Sequence, residues 1–213
     1  MNTHRFLFLM ITFIALAITG CSDRSSAGSG TVSQGAFILT SDGAADGGRL
    51  PAEYACDGAG STIALSWSNA PAGTTEFALM MTTLPGDGTT KWNWVLYGIP
   101  GSADGLAKNS TGVGIAGTGS HGTTMAYDPP CSQGPGDKVY TFTLYALSAS
   151  PSITVPTAEV TGPVLSNAIS SLTLSTAALS LIYARSPAVF EKSAAPSVGP
   201  DAEQIRYDKR NER

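Results

Sequence analysis

Lys91-Trp-Asn-Trp-Val-Leu-Tyr-Gly-Ile-Pro100 is the most informative run of this chain. It is short and mostly aromatic or aliphatic, and a glycine and a proline lie near its end, so it predicts a buried β-strand rather than a helix. Because side chains alternate between the faces of a strand, Asn93 and Tyr97 are expected on one face and Trp92 and Trp94 on the other. A buried carboxamide needs hydrogen-bond partners. Asn93 is therefore either a structural tether or part of a pocket floor.

Apolar runs on both sides of this segment predict further strands. Residues 138–147 show the clearest alternation of apolar and polar side chains. Additional strands are predicted at 35–40, 63–67 and 76–83. Residues 164–169 predict a short helix, and residues 172–183 predict a helix that runs into a strand. Residues 101–136 are rich in Gly, Ser and Thr, so they are expected to form long loops with few strands.

The length and composition favour one β-rich domain with appendages. The chain has 213 residues and a formal net charge of −4, and a chain of this length suits a single domain. Charged residues are few, whereas Gly, Ser, Thr and Ala are abundant, which is typical of a turn-rich extracytoplasmic domain. Residues 33–186 contain five Lys and Arg against ten Asp and Glu. The basic stripe that a nucleic-acid-binding protein needs is absent from the sequence, so that class is excluded.

The first 21 residues have the features of a bacterial lipoprotein signal. A basic start precedes an apolar run that is shorter than a bilayer span, as in a secretory signal peptide. Ile18-Thr19-Gly20-Cys21 resembles a lipobox, after which Cys21 becomes the lipidated first residue; a plain signal peptide with an unmodified Cys21 is the alternative. Several acyl chains on one cysteine provide stable membrane anchoring. Ser22 after the cysteine slightly favours the outer membrane over the inner membrane.

The sequence therefore divides into four parts. Residues 1–20 are a signal peptide, and residues 21–33 are a Gly- and Ser-rich flexible tether. Residues 34–186 form the folded domain. Residues 187–213 are first Pro-, Ser- and Ala-rich and then charged with balanced signs, so they are expected to be a disordered tail.

Cys56 and Cys131 remain when Cys21 is set apart. An even pair in an oxidising compartment favours a disulfide. A metal site is a weaker alternative, because no His or Cys partners stand at ligand spacing. A catalytic thiol is also weaker, because it would need an activating base.

Five motifs in series resemble the phosphatidylethanolamine-binding protein (PEBP) family, and most closely its bacterial, Raf-kinase-inhibitor-like branch. The resemblance covers roughly residues 35–185 and rests on Tyr54-Ala-Cys-Asp-Gly58, Leu65-Ser-Trp67, Trp92 to Pro100, Tyr127-Asp-Pro-Pro-Cys131 and Tyr140 to Leu147. It implies a mainly β fold, a two-sheet antiparallel β-sandwich with a few short helices. It also implies a small anion pocket at one end of the sandwich.

The resemblance implies a pocket with altered chemistry. Asp57, Tyr127 and Tyr140 match pocket residues of the family. Asn93 stands where the family has a histidine, and Lys138-Val139-Tyr140 replaces a His-Arg-Tyr run, so only the tyrosine is kept. Thr82-Thr83-Leu84-Pro85 replaces a run that is rich in carboxylates.

His121 is the only histidine after the signal segment, and the resemblance places its loop beside the pocket. With Asn93, Tyr127 and Lys138 it is expected to form a polar ligand site at the cleft mouth, and Lys138 is expected to hold an anion as a point charge. The alternatives are a surface histidine and a solubilising lysine at the end of a strand.

The sequence predicts a non-enzymatic lipoprotein of the cell envelope that binds a small polar or anionic ligand, of phosphate or phospholipid head-group type, or a protein partner. No catalytic residue, metal site or cofactor is expected. The G-x-G-x-x-G match at 117–122 opens no long helix, so it does not predict a dinucleotide. Two alternatives stay open: a structural envelope protein with a decayed pocket, and a hydrolase that uses His121.

Overall fold

The computed structural model describes residues 35–121, 126–132 and 136–185. Eight strands and one helix form the domain, in the order β1 (Ile38–Thr40), β2 (Leu65–Ser68), β3 (Glu76–Thr83), β4 (Lys91–Pro100), β5 (Gly105–Leu106), β6 (Ile115–Ala116), β7 (Lys138–Leu147), α1 (Gly162–Ile169) and β8 (Thr173–Tyr183). Short 3-10 turns occupy Ala52–Tyr54 and Thr157–Glu159. The predicted mainly β class is confirmed.

Two antiparallel sheets form the layers of the domain. The small sheet has the order β1-β2-β5, and the large sheet has the order β6-β4-β3-β7-β8. Pairing is most extensive at the centre of the large sheet, where β3 pairs with β7 from Glu76↔Leu147 to Thr83↔Tyr140. These long central strands alternate their side chains between a face that meets the small sheet and a face that meets α1.

The main hydrophobic core lies between the two sheets. Leu39, Leu65 and Trp67 of the small sheet share one buried cluster with Phe77 and Phe142 of the large sheet. The ring of Trp67 lies 5.3 Å from that of Phe77, in a tilted arrangement. Burial of such apolar area provides most of the favourable free energy of folding.

A second, smaller core covers the outer face of the large sheet. Leu165 and Ile169 of α1 pack with Met80 of β3 and with Val95 and Tyr97 of β4. The helix is short, and its apolar side chains face the sheet, so this contact stabilises it more than its intrinsic propensity does.

A β-bulge in β4 changes the face expected for Trp92. Met81 of β3 lies opposite Trp94, whereas the next residue, Thr82, lies opposite Trp92, so Asn93 is an extra residue in the ladder. Such a bulge reverses the alternation on one side of it. Trp92 therefore packs against the outer core, while Trp94 belongs to the core between the sheets. The prediction that the two tryptophans share a face is wrong for this reason.

The predicted strands at 76–83, 91–100 and 138–147 have the bounds that the structure gives to β3, β4 and β7. Residues 101–136 hold only the two-residue strands β5 and β6 in their described part, as expected from their composition. The predicted helical start of residues 172–183 is wrong, because this segment is a strand from Thr173 onward. It pairs with β7 along almost its whole length, and this tertiary pairing overrides the helix propensity of its Ala and Leu residues.

Four predictions concern residues outside the described ranges. They are the signal peptide (1–20), the tether with Cys21 (21–33), the tail (187–213) and the outer bounds of the folded domain. Within the described residues, no helix is both long and apolar enough to cross a membrane.

Candidate functional site

A cavity of about 410 Å³ lies at the end of the large sheet where β3 ends and where β4 and β7 begin. Its lining combines charged, polar and apolar side chains, as small-molecule sites do. The lining residues are Thr83, Pro85, Asp87, Lys91, Asn93, His121, Asp128, Pro129, Cys131, Ser132, Lys138 and Tyr140.

Strand register places the three central residues of the lining. Thr83, the last residue of β3, lies opposite Lys91 on one neighbouring strand and opposite Tyr140 on the other. Directly opposed residues in antiparallel strands have side chains on the same face of the sheet. Lys138 precedes Tyr140 by two residues, so it shares this face. The sheet therefore places two lysines and a phenol on the same face as Thr83, whose hydroxyl donates a hydrogen bond to the carbonyl oxygen of Val139 at 2.8 Å.

Asn93 reaches the cavity through the bulge in β4. Its Nδ2 donates a hydrogen bond to the carbonyl oxygen of Asp128 at 3.2 Å, and the backbone N–H of Asp128 donates to the carbonyl oxygen of Asn93 at 2.7 Å. Only 2% of Asn93 is exposed, and its Oδ1 is buried with no hydrogen-bond partner among the described residues. Asn93 thus tethers the Asp128 loop through Nδ2, while its Oδ1 is an unsatisfied hydrogen-bond acceptor.

Tyr140 provides a neutral hydroxyl to the same cavity. The residue is 3% exposed, and no hydrogen bond of its hydroxyl group occurs within the described part of the chain. Burial, with a smaller contribution from the charge of Asp128, raises the pKa of Tyr140 to about 12. The phenol therefore keeps its proton at physiological pH.

His121 and Asp128 form a polar pair at the cavity wall. His121 Nδ1 lies 2.5 Å from Asp128 Oδ2. The His121 side chain is more than half exposed, whereas that of Asp128 is about one third exposed. The Asp128 carboxylate accepts a hydrogen bond from Nδ1 and thereby fixes the orientation of the imidazole. Nε2 is then the ring nitrogen left for other contacts.

The two lysines of the cavity differ in their partners. Lys91 Nζ lies 3.8 Å from a carboxylate oxygen of Asp87, which also lines the cavity. No ion pair of Lys138 occurs in the described ranges. Lys138 is therefore the cation of this site that is most available to an anion, and a lysine suits that role as a point charge.

The structure places Tyr127 beside the cavity but outside its lining. The Tyr127 hydroxyl donates to the carbonyl oxygen of Tyr54 at 2.8 Å, and its ring meets that of Trp94 edge-on at 5.4 Å. Burial is the main cause that raises the pKa of Tyr127 well above the usual value. Tyr127 therefore anchors the loop that carries Asp128, and it lines a separate, smaller hollow.

Asp57 also lies outside the lining. It accepts hydrogen bonds from Tyr183 Oη at 2.6 Å and from Arg185 Nε at 3.0 Å, and Arg185 forms an ion pair with it. The Arg185 hydrogen bond, followed by that of Tyr183, lowers the pKa of Asp57. Burial, followed by the hydrogen bond to Asp57, raises the pKa of Tyr183 to about 12. This cluster fastens the end of β8 to the Cys56 segment.

Cys56 and Cys131 form a disulfide in the structure, with a sequence separation of 75 and Cα atoms 5.3 Å apart. Their segments are also joined by a hydrogen bond from the backbone N–H of Cys56 to the carbonyl oxygen of Pro130. Because Cys131 lines the cavity, the disulfide fixes one wall of the site.

Of the residues that the sequence suggested for the site, four line one cavity: Asn93, His121, Lys138 and Tyr140. Sequence reasoning missed Asp128, although the Tyr127-Asp-Pro-Pro-Cys131 run contained it. It also missed Lys91 and Asp87. The only sequence signal for a role of these two residues was their position at or just before the start of the Lys91–Pro100 strand. Within the described residues, no group of three or more His, Cys, Asp or Glu side chains could hold a metal ion.

Comparison with known families gives a match over most of the domain. The family model described as phosphatidylethanolamine-binding protein matches residues 40–184. This range includes every described strand except the first two residues of β1.

Individual proteins are also similar in sequence to part of this chain. LppC of Mycobacterium tuberculosis, described as a candidate lipoprotein, is 34% identical over 104 residues, which are 48% of this chain and 51% of LppC. The chain thus matches about half the length of this relative.

Two solved structures are similar. A Chlamydia trachomatis protein, described as a candidate PEBP homologue, has a TM-score of 0.65 and 25% identity and covers 71% of this chain and 99% of its own. YbcL of Escherichia coli, described as a member of the mammalian PEBP family, has a TM-score of 0.63 and 21% identity, with 70% and 99% covered. The YbcL similarity concerns the fold alone.

Proposed function

Since the chain belongs to the phosphatidylethanolamine-binding protein family, we propose that it binds a small polar or anionic ligand in the cavity at the end of the large sheet. One observation supports this most: Asn93, whose buried Oδ1 has no hydrogen-bond partner among the described residues, lines the same cavity as Tyr140 and as Lys138, which has no ion pair within the described residues. Buried polar groups are normally satisfied, so a cavity that collects them suits a polar ligand.

The charges of the cavity favour an anionic group on that ligand. Lys91 pairs with Asp87, and Asp128 contacts His121, whose ring carries a charge only when it is protonated. Among the described residues, Lys138 is the cation of this cavity that forms no ion pair with a carboxylate. A phosphate or carboxylate against its Nζ would gain a charge-assisted hydrogen bond, which is stronger than a neutral one.

Calorimetric titration tests this proposal with inorganic phosphate and phosphoethanolamine as probes. We expect binding to the wild-type protein, and binding weaker by about tenfold in Lys138→Met, because a hydrogen bond to a charged group is lost. Lys108→Met is the matched control, since Lys108 pairs with Glu53 and does not line the cavity. Absence of heat with both probes in the wild type would refute ligand binding of this class.

The contact between His121 and Asp128 favours a second candidate function, hydrolysis. A carboxylate that orients an imidazole is the base-and-orienter pair of many hydrolases, and His121 would remove a proton from an attacking water molecule as general base. Turnover of p-nitrophenyl phosphate and p-nitrophenyl acetate by the wild type and by His121→Ala tests it. Equal background rates in the two proteins would eliminate this candidate.

The proposed location is the bacterial cell envelope, with attachment through lipidated Cys21 and a slight preference for the outer membrane. The lipobox resemblance of Ile18 to Cys21 and the similarity to LppC support it. Metabolic labelling with a palmitate analogue tests it: the wild type should incorporate label and Cys21→Ser should not. Equal labelling of both proteins would refute attachment at this residue.

A further inference from the structure

We infer that the part of the ligand which contacts Asn93 and Tyr140, here called the cavity floor, is a neutral group. This group both donates and accepts a hydrogen bond, as an alcohol hydroxyl or a primary amide does. This inference rests on the proposed function, because it names the class of ligand for the same cavity. It concerns two residues that are almost completely buried, Asn93 and Tyr140. In the described part of the chain, neither Asn93 Oδ1 nor the Tyr140 hydroxyl has a hydrogen-bond partner.

The acceptor of the floor is Asn93 Oδ1. The orientation of this side chain is determined by its surroundings, because Nδ2 donates to the carbonyl oxygen of Asp128. The reverse orientation would place two oxygens against each other, which the hydrogen-bonding inventory of an amide disfavours. The unpaired atom is therefore the oxygen, and only a donor can satisfy it.

The donor of the floor is the hydroxyl of Tyr140. Its pKa is raised to about 12, so the phenol retains a hydrogen for donation to a ligand. The same oxygen can also accept a hydrogen bond. A floor with a neutral acceptor and a neutral donor matches a ligand group that offers both functions.

A fully ionised phosphate or sulfate does not match this floor, because it has no hydrogen to donate to Asn93. The cationic partner of an anion is Lys138 instead, at the beginning of β7. The ligand is thus bifunctional, with a neutral hydrogen-bonding end at Asn93 and Tyr140 and an anionic end at Lys138. Because Oδ1 is buried, we infer that ligand binding shifts the side chains at the floor slightly, so that the donor of the ligand reaches this oxygen.

A matched pair of ligands tests the neutral end of the ligand separately from its anionic end. Ethyl phosphate and 2-hydroxyethyl phosphate differ mainly by one hydroxyl group and are titrated calorimetrically into the full-length protein. We expect 2-hydroxyethyl phosphate to bind at least about fivefold more tightly, because ethyl phosphate leaves the buried acceptor unpaired. In Asn93→Leu this preference should disappear, while Lys138→Met should weaken both ligands by a similar factor.

Tyr140→Phe is the second variant, which keeps the tether between Asn93 and Asp128 if Asn93→Leu fails to fold. It should reduce the preference for the hydroxyl ligand and retain binding of ethyl phosphate. Equal affinity of the wild type for the two ligands would overturn the inference and leave the proposed function intact. Absence of binding by either ligand would refute the proposed function, and the inference with it.

Discussion

Asn93 and Asp128 are joined by two hydrogen bonds, one from the side chain of Asn93 to the carbonyl oxygen of Asp128 and one from the N–H of Asp128 to the carbonyl oxygen of Asn93. The first residue is the bulge of β4, and the second belongs to the loop that the disulfide also holds. This double contact connects the sheet to the cavity wall. It makes the amide of residue 93 a structural group as well as a candidate ligand contact.

Asn93→Asp should destabilise the protein by about 3 kcal/mol at neutral pH, because it places an uncompensated charge in a buried site against a carbonyl oxygen. Burial raises the pKa of such a carboxyl in the folded state above that in the unfolded state. The destabilisation should therefore decrease as pH falls through the folded-state pKa, where the protonated acid regains a donor. Urea unfolding at several pH values measures it. A penalty that is independent of pH would contradict this explanation.

Asp57→Asn should destabilise the protein by about 2 kcal/mol near pH 7, because Tyr183 and Arg185 lose a partly buried charged acceptor. The pKa of Asp57 is lowered in the folded state. Its contribution is thus fully present above the unfolded-state pKa, about 3.9, and it is lost as pH falls through the lower folded-state value. The difference in unfolding free energy between wild type and variant should shrink over that acidic range.

Asp137→Asn is the control for the Asp57 variant. Its carboxylate pairs with Arg49, but both side chains are more than half exposed. An exposed pair typically contributes between zero and about 1 kcal/mol, so this variant should unfold almost like the wild type. Equal losses in the two variants would show that burial does not distinguish the pairs.

Removal of the disulfide in Cys56→Ser/Cys131→Ser should lower the free energy of unfolding by about 4 kcal/mol, as expected for a closed loop of this length. Chemical denaturation of the double variant, compared with the oxidised wild type, measures the effect. Loss of the link should also weaken binding of the phosphate probes, because Cys131 lines the cavity. Unchanged affinity in a folded double variant would show that the wall does not need the covalent link.

Gly162→Ala should destabilise the protein by about 2 kcal/mol or more, because a Cβ at this position would lie 2.0 Å from Cδ1 of Trp92. The indole must move, so its fluorescence should change together with the unfolding midpoint. Gly86→Ala is the control, since a Cβ there meets nothing within 4 Å. Wild-type stability and fluorescence of Gly162→Ala would contradict the close packing of α1 on β4.

The centre of the large sheet, formed by β3, β4 and β7, was predictable because these strands have local signals. Residues 138–147 alternate apolar and polar side chains, and β3 and β4 are short apolar runs that turn residues separate. The family resemblance added the order of the motifs and the sandwich architecture. It also led to four residues that line one cavity, although their spacing in sequence exceeds any local pattern.

The sequence by itself determined the long strands β3, β4 and β7, because apolar periodicity and turn residues are local properties of the chain. Tertiary structure alone decided on which face Trp92 lies, since a bulge depends on the register between β3 and β4. It also decided that Asp57 binds Arg185 and that Tyr127 binds Tyr54, both away from the cavity lining. Hydrogen-bond partners far apart in sequence are set by the packing of the whole domain, and no local pattern of residues specifies them.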